Sequence, residues 1–279
     1  MSIKKPPYLF AFDLDGTLLD SGKNISPANR KALKEISDLG AIVAFSSGRL
    51  GGSIEKVVET IGLDVAMLTL NGAEVYLDRS HGSKLIYHAP LSPLYADYLL
   101  DYFKADTFNL NYYVGGKLYS VSTPQTRPWI DLYYQQTSTA CNFLDSFDSF
   151  RGKSPSKIIF VGEKAEMDKQ ESFFRSLWKD EIYICRTWDY YLEFLNPHAN
   201  KGDGLTALAE SYGLGIDDVI AFGDASNDIP MLKSAGLGIA VGNASDEVKA
   251  AAKKVSEWTN DQDAVAKEWE ILKKTLSFS

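Results

Sequence analysis

Asp13, Asp15, Asp224 and Asp228 stand at or just past the ends of apolar runs, and Ser47, Asn71 and Lys201 follow other such runs or open a helix. An aspartate closing a buried strand needs a partner, because an isolated carboxylate is costly to remove from water. Several carboxylates converging on one edge repel unless a divalent cation neutralises them. Oxygen ligands select a hard ion, and a partly hydrated Mg2+ needs few protein ligands. Serine, asparagine, lysine and exposed backbone N–H groups suit a phosphoryl group, whose oxygens need several donors. Acids, a cation and phosphate donors together imply phosphoryl transfer. In that chemistry Asp13 attacks phosphorus and forms an aspartyl-phosphate. Asp15, two residues on, reaches the leaving-group oxygen, protonates it, and later deprotonates the hydrolytic water, a contribution of about 10²–10⁴-fold. Lys201 shields the charge between Asp13 and the phosphoryl group.

These residues need a frame that brings strand ends together. Tyr8-Leu9-Phe10-Ala11-Phe12 reads as a buried strand, since such strands are near-continuous in apolar residues. Ser26-Pro27 marks a helix start, Ala28 to Leu39 carry one apolar face, and Gly40 is the stop. A second strand over Ala41–Phe45 ends in Ser46-Ser47-Gly48-Arg49. A helix over Ser53–Ile61 and a third strand over Val65–Leu70, ending in Asn71-Gly72, complete the first part. The alternation resumes late, with a helix over Lys201–Tyr212, strands over Val219–Phe222 and Leu237–Val241, and closing helices over Ser245–Lys254 and Asp261–Leu272. Alternating strand and helix predict an α/β fold with a doubly wound parallel sheet, whose carboxyl edge is where ligands bind.

The middle of the chain follows another pattern. Phe108–Val114, Gly115-Gly116 and Lys117–Val121 read as a β-hairpin. Lys157–Val161, Ile182–Thr187 and Tyr191–Leu195 read as strands, and Ala165–Trp178 as a helix. The expected organisation is a core in two parts, residues 1–83 and 190–279, with an inserted α+β domain at 84–189.

Composition narrows the class. The 279 residues are 45% apolar and 24% charged, which suits a sizeable buried core. A formal net charge of −8 argues against nucleic acid, which needs clustered Lys and Arg. Cys141 and Cys185 form no metal-type spacing and no disulfide framework, so a reducing, cytoplasmic setting is expected. The leading stretch with Lys4 and Lys5 has an apolar run too short for a signal peptide, and nothing reaches membrane-spanning length. No obligate protein partner is evident.

Asp13-Leu14-Asp15-Gly16-Thr17 resembles the first motif of the haloacid dehalogenase superfamily. Ser47-Gly48-Arg49 resembles the second, Lys201-Gly202 the third, and Gly223 to Asp228 the fourth. Asn71-Gly72-Ala73 and Asn243-Ala244 are similar to signatures of subclass IIB, the Cof-type phosphatases. The resemblance implies a Rossmann-like core with an α/β cap inserted after the third strand, and Mg2+-dependent phosphatase activity on small phosphorylated metabolites such as sugar phosphates. It implies Asp13 as nucleophile and metal ligand, and Asp15 as acid/base, coordinating the metal through its backbone carbonyl. Asp224 becomes the third metal ligand. Ser47 and Lys201 bind phosphate with backbone near Leu14 and Gly48. Asn71 and Asn227 lie near phosphate, and Asp228 orients Lys201 or metal-bound water. Asp15 also points to a phosphatase or phosphomutase, since dehalogenases lack an acid there. Of the doubled serine, Ser47 directly precedes Gly48-Arg49 and is the match. Ala264 departs from the glycine often found in the closing signature.

Blander readings stand beside these. Lys201 read alone is the exposed start of a helix, and Asp228 a helix cap. His81, His88 and His198 form no ligand cluster. Tyr112, Tyr113, Trp129, Tyr133 and Tyr134 are candidates to stack on a sugar ring or, more ordinarily, core residues. A phosphomutase and a non-catalytic metabolite-binding protein are the alternative functions.

Overall fold

The alternation at the two ends of the chain builds a single sheet. The structure is a computed structural model that describes residues 8–137 and 139–278; Lys4 and Lys5 lie outside the described residues. First come β1 (Leu9–Asp13), α1 (Pro27–Asp38), β2 (Ile42–Ser46), α2 (Gly51–Ile61), β3 (Ala66–Thr69), β4 (Glu74–Tyr76) and β5 (Leu85–His88). The middle holds α3 (Pro93–Tyr102), β6 (Asn109–Val114), β7 (Lys117–Val121), α4 (Arg127–Thr137), β8 (Cys141–Leu144), β9 (Lys157–Val161), α5 (Lys164–Trp178), β10 (Tyr183–Trp188) and β11 (Tyr191–Leu195). Last are α6 (Lys201–Ser211), β12 (Val219–Gly223), α7 (Ile229–Ser234), β13 (Leu237–Ala240), α8 (Asp246–Ala251), β14 (Lys254–Val255) and α9 (Ala264–Leu272). The chain forms two compact units, one from the residues up to Gly48, Ile54–Tyr87 and Asn200 onward, the other from Arg49–Ser53 and His88–Ala199.

The first unit is an α/β sandwich. Its sheet runs β14-β13-β12-β1-β2-β3-β4-β5. The pairs from β13/β14 to β2/β3 are parallel, and β4 turns back antiparallel on β3. Alternate residues of each buried strand face opposite layers. Phe10, Phe12 and Phe45 pack with Leu33 and Ile36 of α1 and Trp269 of α9, while Leu9, Ala11 and Ala44 pack with Leu205 and Leu208 of α6 and Met231 of α7. Each such large side chain contributes roughly 1.5–3 kcal/mol by leaving water. Ser26 caps α1 by accepting from the Asn29 N–H at 3.1 Å, as its position predicts. The central pair β1 and β12 ends level with Asp13 and Gly223, so the two acid-bearing loops leave the sheet side by side.

Two closing elements differ from expectation. The helix expected over Ser245–Lys254 stops at Ala251, because the chain extends at Ala252 and adds β14 to the free edge of β13. The helix expected from Asp261 begins at Ala264, after a short 3-10 turn and a left-handed Asp263 (φ +60°).

The second unit has a six-stranded sheet of order β10-β11-β9-β6-β7-β8, antiparallel except for β7/β8. Both of its expected boundaries, 84 and 189, fall too early: β5 belongs to the first unit's sheet, and the second unit resumes at His88. Tyr191–Leu195 pairs antiparallel with Lys157–Val161, so the unit runs on to Ala199. Of the five aromatics, Tyr112 lies in this unit's core beside Phe147 and Phe150, and the buried Tyr113 hydroxyl donates to that of Tyr133. That leaves Tyr134, which is exposed, and the half-buried Trp129. Cys141 and Cys185 are free thiols. Among the described residues no helix is long and apolar enough to cross a membrane.

Candidate active site

Asp13 is the last residue of β1 and is buried. Lys201 is wholly buried at the first turn of α6. A lysine there opposes the helix dipole; two carboxylates offset it. Lys201 Nζ donates to Asp13 Oδ1 at 2.6 Å, to Asp228 Oδ1 at 2.5 Å and to the Ser46 carbonyl at 3.3 Å. The exposed-helix-start reading of Lys201 is therefore overturned. Asn200 starts the helix, its side chain accepting from the N–H groups of Gly202 and Asp203 at 3.0 and 2.9 Å.

Asp228 both caps and orients. Its Oδ2 accepts from the N–H groups of Asp224 and Ala225, each at 3.0 Å, while Oδ1 holds Lys201. Gly223 makes that fold possible, since a Cβ there would sit 2.5 Å from the Asp228 Cβ. Asp224 accepts a hydrogen bond from the Thr17 hydroxyl at 2.6 Å, across 207 residues of sequence. Thr17 thus fixes a carboxylate rotamer, a role that its place in the chain does not announce.

A second group forms beside these acids. Asn71 is buried with a left-handed backbone (φ +61°), following Leu70 at φ +51°. Its N–H donates to the Ser47 carbonyl at 3.0 Å, and its Oδ1 accepts from Asn227 Nδ2 at 2.9 Å. The Ser47 N–H donates to the Leu68 carbonyl at 2.9 Å. Gly48 lies against Asn71, whose Oδ1 would be 2.9 Å from a Cβ at that position. The ends of β2 and β3 and the loop after β12 are thereby tied into one rim. Leu14 buries its side chain and accepts from the Leu19 N–H at 2.8 Å, so main chain is what it offers at the edge. Asp15 is partly exposed and paired with Lys23 at 2.8 Å, and its charge also raises Asp224.

One carboxylate oxygen from each of Asp13, Asp224 and Asp228 lies within 4.8 Å of the others. Burial drives the Asp13 carboxyl well above its ordinary pKa, and Asp228 adds to this; Lys201 opposes it and Asp224 reinforces it. Asp224 is pushed up to about 6, first by burial and then by Asp228, against the stabilising Thr17 hydroxyl. Burial alone would discharge Lys201, but Asp13 and Asp228 more than offset it and hold it protonated. A buried cluster pressed toward its neutral form, with only oxygen donors, fits a hard divalent cation. Asp228 has spent both oxygens on internal donors, whereas Asp13 and Asp224 spend Oδ1 alone. Asp13 and Asp224 are thus the two carboxylates suited to be ligands.

Gly16 gives a test of that fit. Its φ is +86°, and a Cβ there would lie 2.4 Å from Asp224 Oδ2. Its carbonyl accepts from Asn243 Nδ2 at 2.8 Å, which holds the turn in place. Gly16→Ala is expected to destabilise by about 1–2 kcal/mol from the left-handed backbone. Displacing Asp224 is expected to weaken divalent-cation binding about tenfold or more, read by calorimetric titration. Unchanged affinity would separate Asp224 from the metal.

A family model described as haloacid dehalogenase-like hydrolase matches residues 10–268. A 5-amino-6-(5-phospho-D-ribitylamino)uracil phosphatase of Bacillus subtilis is 31% identical over 93% of this chain and 93% of its own length. An HMP-PP phosphatase of Cronobacter sakazakii is 28% identical, covering 87% of this chain and 86% of the relative. Among solved structures, a haloacid dehalogenase-like hydrolase from Bacteroides thetaiotaomicron superposes with a TM-score of 0.83 at 28% identity, over 95% of this chain and 99% of that one.

Proposed function

Because this chain belongs to the haloacid dehalogenase-like hydrolase family and is a phosphoric monoester hydrolase, we propose that it is a Mg2+-dependent, cytoplasmic phosphatase of small phosphorylated metabolites, sugar phosphates above all, working through an aspartyl-phosphate. The observation that carries this reading is Lys201, buried between Asp13 and Asp228 at the carboxyl edge with Asp224 alongside.

In this reading an Asp13 oxygen attacks phosphorus, forming the aspartyl-phosphate as the ester P–O bond breaks. Asp15 gives its proton to the departing oxygen. Asp15 then takes a proton from water, whose oxygen attacks phosphorus and releases phosphate, regenerating Asp13. Lys201 lets one anion approach another by offsetting their repulsion. Ser47, Asn71, Asn227 and the main chain of Leu14 and Gly48 hold the phosphoryl oxygens. Asp228 keeps Lys201 aimed. Asp13, Asp224 and the Asp15 carbonyl would hold Mg2+, which when bound supplies charge neutralisation at the transferring group. In this reading the second unit is the cap domain, the part that sets substrate choice. The relatives' names carry phosphorylated ribitylaminouracil and HMP-PP as substrates, so a small phosphorylated organic molecule is the class to test.

With Mg2+, the purified protein is expected to release phosphate from members of a panel of sugar phosphates, nucleotides and p-nitrophenyl phosphate. Chelation with EDTA should reduce that release to background, and added Mg2+ should restore it. Silence across the panel, or turnover indifferent to EDTA, would reject the reading.

A further inference from the structure

Lys23 is held at Asp15 by a loop built for that purpose. Its backbone is left-handed (φ +63°), a conformation that non-glycine residues keep only when their surroundings impose it. The surroundings here are explicit. The Lys23 N–H donates to the Asp20 carbonyl at 2.9 Å, and the Asn24 N–H to Asp20 Oδ1 at 2.9 Å. Asn24 Nδ2 also donates to the Gly22 carbonyl at 2.9 Å. Ser21 fastens the turn to a distant segment, its N–H and hydroxyl donating to the two Asp261 oxygens at 2.7 and 2.6 Å. Asn260 Nδ2 adds a bond to the Leu19 carbonyl at 3.0 Å. The turn therefore presents an ammonium group 2.8 Å from Asp15 Oδ1, and that group is more than half exposed.

This inference rests on Asp15 acting as proton donor to the leaving oxygen. A leaving oxygen hydrogen-bonded to Asp15 lies within about 6 Å of Lys23 Nζ if both meet Oδ1, and within about 8 Å if it meets Oδ2, each contact being about 2.8 Å. That distance is one group further along the leaving group. A neutral sugar carbon there gains nothing from an ammonium. A second phosphate attached through the leaving oxygen places its non-bridging oxygens at Lys23, where one can take the position of the carboxylate oxygen. Charge-assisted bonds of this type are short and strong.

We infer that Lys23 is a specificity-determining residue that favours leaving groups carrying an anion next to the scissile oxygen, so that for a given organic group the diphosphate monoester is preferred to the monophosphate. The terminal phosphoryl group transfers to Asp13, and the organic monophosphate departs with the Asp15 proton.

The test compares phenyl phosphate and phenyl diphosphate, which share one organic group, in the full-length protein with Mg2+. Wild type is expected to have the higher kcat/KM on the diphosphate. Lys23→Met should lower kcat/KM on phenyl diphosphate about tenfold more than on phenyl phosphate, the scale of a lost charged hydrogen bond. Lys23→Arg should recover most of that difference by restoring the charge. An equal loss on both esters in Lys23→Met would overturn the inference and make Lys23 a positioning residue for Asp15. So would a wild type that turns over phenyl phosphate alone. No release from either ester would instead reject the phosphatase reading, and the inference with it.

Discussion

Asp13→Asn is expected to lower kcat at least about 10⁴-fold, the scale on which loss of a catalytic nucleophile is felt. The amide keeps the shape of the side chain but cannot form the acyl phosphate. Its effect on stability should have the opposite sign. Burial and the neighbouring Asp228 and Asp224 carboxylates push Asp13 well above its ordinary pKa. An ionised Asp13 therefore works against the fold in the metal-free protein, and a neutral amide relieves that repulsion. Lys201 keeps Asp228 as a partner, so the substitution strands no buried cation. The expected melting temperature is equal to or above that of wild type without Mg2+, a trade of activity against stability seen at strained sites. The measurement pairs a kcat determination with thermal unfolding in EDTA. Turnover within tenfold of wild type would remove Asp13 as the nucleophile. A collapse in stability would show that the Asp13–Lys201 pair supports the fold more than the reaction.

That opposition explains why the candidate site was legible from sequence. An aspartate at the end of a run such as Leu9-Phe10-Ala11-Phe12 has no reason to be there for stability, and its cost marks it. The central strands were equally readable, because β1, β2 and β12 are buried on both faces and so near-continuous in apolar residues. Elements at the margins hid. Glu74–Tyr76 is three residues long, Lys254–Val255 two, and α4 buries only Ile130 and Tyr133 among its eleven residues. Short edge strands and weakly amphipathic helices carry little periodic signal. The supports of the site hid for another reason. Thr17 meets Asp224 across 207 residues, and the turn that brings Lys23 to Asp15 is fastened by Asp261 from 240 residues away. No local pattern encodes such partners; the tertiary fold creates them.

Lys201→Met carries the second large effect, and it falls on both activity and fold. Lys201 is the internal cation of the cluster, compensating Asp13 and Asp228 in a fully buried position. Methionine fills much of the same space without the charge. Breaking a buried pair by removing one partner leaves an uncompensated charge, at a cost of about 3–5 kcal/mol. Turnover should fall roughly 10²–10³-fold or more, since a preorganised positive group at the transferring oxygens is lost. The sign of the coupling with Asp13 separates this account from simple loss of packing. In Asp13→Asn/Lys201→Met one of the two stranded carboxylates is gone, so the double variant should unfold at a higher temperature than Lys201→Met alone. Packing defects at the two positions would instead add. Mg2+ should raise the melting temperature of Lys201→Met through the carboxylates that remain, by mass action on the folded state. It should do less for the double variant, which has lost one of its proposed ligands. A double variant less stable than Lys201→Met would mean that Lys201 is held by shape rather than charge, and that Asp13 beside it is neutral already.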